Sequence, residues 1–106
     1  MPYSLYVIEL RREVLDESSR FAARSPDHRD DKPCVYVGQT ALTPEERFEQ
    51  HRAGYKSNRY AHRYGVRLRE KLTANRGPFQ TREEALQAET TLAEGLRRKG
   101  YAVWSG

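Results

Sequence analysis

The chain has 106 residues, a formal net charge of +4 and a sequence pI near 9.4, with 37% hydrophobic and 32% charged residues. That length fits one domain over residues 1–106 with a thin core, and an aromatic share of 10% argues against disorder. The lone Cys34 excludes an intrachain disulfide, and no Cys/His group has zinc-site spacing. MPYSLYVIEL has neither a basic leader nor a long apolar run, so a cytoplasmic protein without membrane association is expected. The mild basicity suits a polyanion such as nucleic acid without requiring one.

Tyr3 to Leu10 reads as a strand, because Leu5-Tyr6-Val7-Ile8 is aromatic and β-branched. Residues 11–33 are charged and aperiodic, and read as a long connection with a short helical turn near Glu13–Arg24. Cys34 to Gly38 is a second strand, bounded by Pro33 and a glycine. Thr43-Pro44-Glu45-Glu46 is a capping box with proline at the first helical position, and its helix runs to about Ala53 with Gly54 as the stop. Asn58 to Tyr64 reads as a short helix ended by Gly65. Val66 to Leu72 alternates apolar and basic residues as a half-exposed strand does. Thr81-Arg82-Glu83-Glu84 is a second capping box and opens the longest helix, which ends near Lys99. Tyr101 to Trp104 is a short apolar tail, extended and packed back on the domain. The order is β-β-α-α-β-α, an α+β arrangement without internal repeats.

Three features carry candidate chemistry. On the last helix Glu89 falls inside the stripe formed by Ala85, Leu92 and Leu96, and a carboxylate there needs a cation. It either pairs with a buried arginine or serves as a metal ligand or acid/base group. On the first long helix Arg47 and His51 share a face at i,i+4, a pair suited to phosphate: the guanidinium binds two oxygens and the imidazole moves a proton. The alternative is a surface arginine beside a partly buried histidine. Tyr6 and Tyr36, one on each strand, are ordinary sheet residues when taken alone. Gly38 reads as a turn signal and nothing more.

Together the pattern resembles the GIY-YIG nuclease family over nearly the whole chain. The first motif stands as Ser4-Leu5-Tyr6 and the second as Tyr36-Val37-Gly38. The family's arginine matches Arg47, the histidine of some members matches His51, and the glutamate matches Glu89. The departures are Ser4 for glycine, Leu5 for isoleucine, a long stretch between the motifs, and no asparagine after Glu89. The resemblance implies a three-stranded antiparallel sheet flanked by helices. It also implies an endonuclease, with one Mg2+ or Mn2+ ion held on Glu89. Tyr6 would activate the attacking water, Tyr36 would orient water or phosphate, and Arg47 would stabilise charge on the phosphoryl oxygens. His51, with a better matched pKa, is the alternative base.

The segment from Arg52 to Lys71 places Arg52, Lys56, Arg59, Arg63 and Arg67 among Tyr55, Tyr60 and Tyr64, so it is the expected strand-binding surface. Its bland reading is a solvated basic face over core tyrosines. The expected partner is nucleic acid, DNA before RNA. With no specificity domain in sight, low sequence preference, homo-oligomerisation or a specificity partner is expected. Two rival readings remain: a catalytically inactive nucleic-acid-binding module, and a structural domain in which an Arg47–Glu89 pair stabilises the core.

Overall fold

The computed structural model describes residues 2–106. In chain order the elements are β1 (Ser4–Leu10), α1 (Glu13–Glu17), α2 (Ser19–Ala23), β2 (Cys34–Thr40), α3 (Pro44–Ala53), α4 (Arg59–Tyr64), β3 (Gly65–Leu68), α5 (Arg82–Arg98) and β4 (Ala102–Ser105). A single 3-10 turn, Glu70–Leu72, follows β3. The α+β class holds, but the sheet has four strands in the order β3-β1-β2-β4 rather than three antiparallel ones. β1 pairs antiparallel with β2 and β3, while β4 runs parallel to β2, with Cys34 opposite Ala102 and Val37 opposite Ser105. The apolar tail is therefore an edge strand. A parallel neighbour needs a crossover, and α5 supplies its last leg.

Both long helices start where their capping boxes place them. Thr43 Oγ1 accepts from the Glu46 amide at 3.1 Å while Glu46 Oε1 accepts from the Thr43 amide at 3.0 Å, and Thr81 and Glu84 repeat the exchange. Gly54 ends α3 at φ 81°, a left-handed conformation that glycine adopts without strain. β3 is shorter than its alternation suggests. Its last paired residue is Leu68, opposite Ile8, after which the Arg69 amide donates to Val7 O and the chain turns. The connection from 11 to 33 holds two short helices, each fixed by one fully buried side chain, Val14 and Phe21.

The sheet divides the core in two. On one face Tyr6, Ile8, Leu10, Cys34 and Tyr36 pack under Val14, Phe21, Tyr60 and Tyr64 from the short helices. On the other, Leu5, Val7, Val35, Val37 and Val103 pack under Leu92, Ala93 and Leu96 of α5. Strand alternation enforces this split, since successive side chains point to opposite faces. Radial compactness follows, with a Cα radius of gyration of 12.9 Å.

Candidate active site

Tyr6 and Tyr36 enter the site from neighbouring strands. Their ring centroids are 6.1 Å apart, and His51 packs against both at 5.7 and 5.4 Å. Tyr6 lies opposite Gly38, and any Cβ at Gly38 would collide with the Tyr6 phenol. Gly38 is thus not a turn residue. It sits inside β2 and leaves the room that the Tyr6 ring occupies, as glycine within a strand does where another group approaches closely. Sequence reading missed this role, although the glycine two residues after Tyr36 was its signal.

His51 is completely buried and held at both nitrogens. The Asn58 amide donates to Nδ1 at 3.2 Å, and Nε2 lies 2.8 Å from Tyr6 Oη. Since Nδ1 accepts, the neutral ring carries its proton on Nε2, and Nε2–H donates to the phenol oxygen. Burial, with Arg47 adding to it, holds the His51 pKa down at about 4, so the neutral form is the relevant one. Asn58 earns this geometry as the N-cap of α4: its Oδ1 accepts from the Tyr60 and Ala61 amides, which fixes its own backbone N–H toward His51. Burial pushes Tyr6 well above the ordinary tyrosine range. Tyr36 adds to the rise and Arg47 opposes it. Tyr36 is also raised, first by burial and then by the Glu89 carboxylate.

Arg47 stands on α3 half-buried and without an ion-pair partner among the described residues. Its Nη1 donates to Gln50 Oε1 at 2.9 Å and to Tyr55 O at 3.4 Å, and its Nη2 donates to Lys56 O at 2.8 Å. Those carbonyl and amide partners orient the guanidinium but leave its charge uncompensated. Glu89, on α5, is only 6% exposed, and burial lifts its pKa to about 7. It forms no salt bridge among the described residues, and none with Arg47, so an Arg47–Glu89 pair is not what stabilises this core.

A buried carboxylate without a cation is unfavourable, and it is also a hard oxygen donor of the kind Mg2+ or Mn2+ takes. No cluster of three or more His, Cys, Asp or Glu accompanies Glu89 among the described residues. Such a one-carboxylate site suits a cation that keeps several waters and takes phosphate oxygens as well. The residues therefore fit the ion that the sequence leads one to expect.

The basic residues do not form one surface. Arg52, Lys56 and Arg59 are exposed and lack carboxylate partners among the described residues, whereas Arg63 lies 3.5 Å from Glu17 and Arg67 lies 3.1 Å from Glu9. Arg67 pairs across the sheet with Glu9, which shares a face with Val7 two residues earlier, so it belongs to the α5 side, away from α4. Arg59 and Arg63 instead line an open cavity of about 520 Å3 with Glu17, Ser18, Tyr60 and Tyr64.

The family model for the GIY-YIG catalytic domain matches residues 21–102. The chain belongs to the GIY-YIG family. The match takes in Tyr36, Arg47, His51 and Glu89, while Tyr6 precedes it and joins the site through the β1–β2 pairing. The GIY-YIG domain is that of a nuclease, so nucleic acid is its class of substrate. No curated protein matches the chain, and no solved structure does. No helix among the described residues of this GIY-YIG domain is long and apolar enough to cross a membrane.

Proposed function

We propose that this chain is a metal-dependent endonuclease that hydrolyses phosphodiester bonds, with DNA as the polymer. The observation that carries the reading is Glu89: a buried carboxylate with no salt bridge among the described residues, on the helix that faces the sheet, close enough to raise the pKa of Tyr36. Glu89 would hold one Mg2+ or Mn2+ ion, which supplies charge against the scissile phosphate.

The remaining roles follow from the hydrogen bonds. Arg47 directs an uncompensated guanidinium at the phosphoryl oxygens, where charge develops during attack. Tyr6 is the base. Its oxygen already accepts the His51 N–H, an arrangement that favours phenolate, and Arg47 favours it further. As phenolate, Tyr6 takes the proton of the attacking water. His51 is a poor base itself, because its only lone pair is committed to the Asn58 amide. It acts instead as a positioning residue that keeps a donor on the Tyr6 oxygen. Tyr36, between Tyr6 and Glu89 in electrostatic reach, orients the water or phosphate.

The test is cleavage of labelled single-stranded and duplex DNA, and of RNA, with manganese or with chelator, beside Glu89→Ala. Manganese-dependent cutting that falls to background in the variant is the expected result. Tight binding with no cutting of any substrate would instead establish an inactive binding module.

A further inference from the structure

The basic segment interleaves three tyrosines, and the fold separates them. Tyr60 and Tyr64 are buried in the core beside Phe21 and Ile8. Tyr55 is 56% exposed, well beyond Leu42, Val66 and Leu86 at 40–42%. It stands on the α3–α4 connection and belongs to neither half of the core.

That connection is fixed rather than loose. The Tyr55 amide donates to Gln50 O at 2.9 Å, just past the left-handed Gly54. Lys56 adopts φ 46°, a left-handed conformation that a side-chain-bearing residue takes only when its surroundings impose it. Arg47 imposes it, donating to both Tyr55 O and Lys56 O. The same guanidinium acts on Tyr6. Arg47 thus fastens the backbone that carries Tyr55 to α3, the helix whose His51 bonds the Tyr6 phenol.

We propose that Tyr55 is a stacking platform for an unpaired nucleobase next to the scissile phosphate, so that the preferred substrate is single-stranded at the cut. The inference rests on the nuclease reading and names its substrate class. In a duplex both faces of each base are already stacked, and a protruding tyrosine finds no partner. In a single strand every base offers a free π-face. Lys56, whose Nζ lies 5.5 Å from the Tyr55 ring centroid, supplies charge for the adjoining phosphate, and Arg52 on the neighbouring turn of α3 has no carboxylate partner among the described residues to compete.

Fluorescence anisotropy with a short labelled single strand and its duplex, in chelator, tests this with wild type, Tyr55→Ala and Tyr55→Phe. Tyr55→Ala is expected to weaken single-strand binding about tenfold or more, as removal of a base-stacking aromatic does. Tyr55→Phe restores it, and duplex binding changes less than twofold in either variant. Unchanged single-strand affinity in Tyr55→Ala overturns the proposal. An equal loss on duplex overturns it too, by making Tyr55 a general contact. Manganese cleavage by wild type, run beside the titration, separates the two readings. Cutting that persists while Tyr55→Ala binds normally removes the stacking site and keeps the nuclease. A Tyr55-dependent preference for single strands with no cutting removes the nuclease and keeps the stacking site.

Discussion

The two helices that bring titratable and charged groups to the site treat them in opposite ways. On α3, His51 has a partner at each nitrogen, one of them Tyr6, while Arg47 bonds two carbonyls and one amide oxygen. On α5, Glu89 is 6% exposed and has no salt bridge among the described residues. Buried charges are normally paired, so the second helix is the exception that calls for a reason. A saturated network positions what it holds. A carboxylate buried without a cation is a place for one. The difference fits the proposed roles, orientation on α3 and ion binding on α5.

The largest effect that would break this contrast is at Arg47. If its partners only orient it toward phosphate, Arg47→Ala is expected to lower the cleavage rate by roughly 10²–10³-fold, the cost of losing one donor to a developing charge. Arg47→Lys keeps the charge but loses the fork and recovers only part of the rate. Single-turnover cleavage measures both. Equal rates for wild type and Arg47→Ala would leave Arg47 as a mere fastener of the Tyr55–Lys56 turn.

Much of this site was legible in the sequence because its carriers are local signals. Thr43 and Thr81 announce their helices through residues three positions away, and the stripe of Ala85, Leu92 and Leu96 exposes Glu89 as a misfit on a core-facing surface. What was not legible depends on distant contacts. Tyr6 and His51 are 45 positions apart, and nothing in either neighbourhood reveals that one hydrogen bond joins them. The tail from Tyr101 to Trp104 has no period long enough to mark a strand, and only β2 makes it one. The helices α1 and α2 carry a single buried anchor each, too few to show a helical stripe among so many charges. Gly38 looks like a turn until Tyr6 is laid across it. The basic run suggested a continuous surface, but strand alternation turned Arg67 to the other side of the sheet.

A middle-sized effect concerns the stability of α5. The Glu89 pKa rises from 4.5 to about 7 on folding, so between those values the folded chain holds a proton that the unfolded chain has lost. Stability conferred by the protonated form therefore falls as pH climbs through that window, and the full cost of the bare carboxylate is present above it. With chelator present, Glu89→Gln is expected to be more stable than wild type at pH 8 by about 1–3 kcal/mol. The advantage shrinks toward pH 5. Urea unfolding at the two pH values measures it. His51, with its pKa lowered to about 4, titrates with the opposite sign, losing stability as pH falls from 6.5. Because it is common to both proteins, it cancels from the difference. A variant less stable than wild type at pH 8 would mean that Glu89 already has its partner within the chain.

The smallest effect sharpens the α3 side of the comparison, by asking which of two hydrogen-bonded groups takes the proton. If His51 were the base, its pKa of about 4 would make it fully competent at neutral pH, and the rate at saturating manganese would be flat above pH 6. If Tyr6 is the base, its pKa lies above the ordinary tyrosine value in the unliganded protein, and Arg47 with the bound ion lowers it only part of the way. The reactive phenolate is then a minor species at pH 7, and its fraction grows about tenfold for each pH unit, some 1.4 kcal/mol of barrier per unit. Single-turnover cleavage between pH 6 and 9 is expected to rise log-linearly with no plateau in the neutral range. His51→Gln, which offers an amide N–H in place of the imidazole N–H, keeps that slope and lowers the line. A flat profile in wild type would transfer the base from Tyr6 to His51 and require the Asn58 amide to release Nδ1 during the reaction.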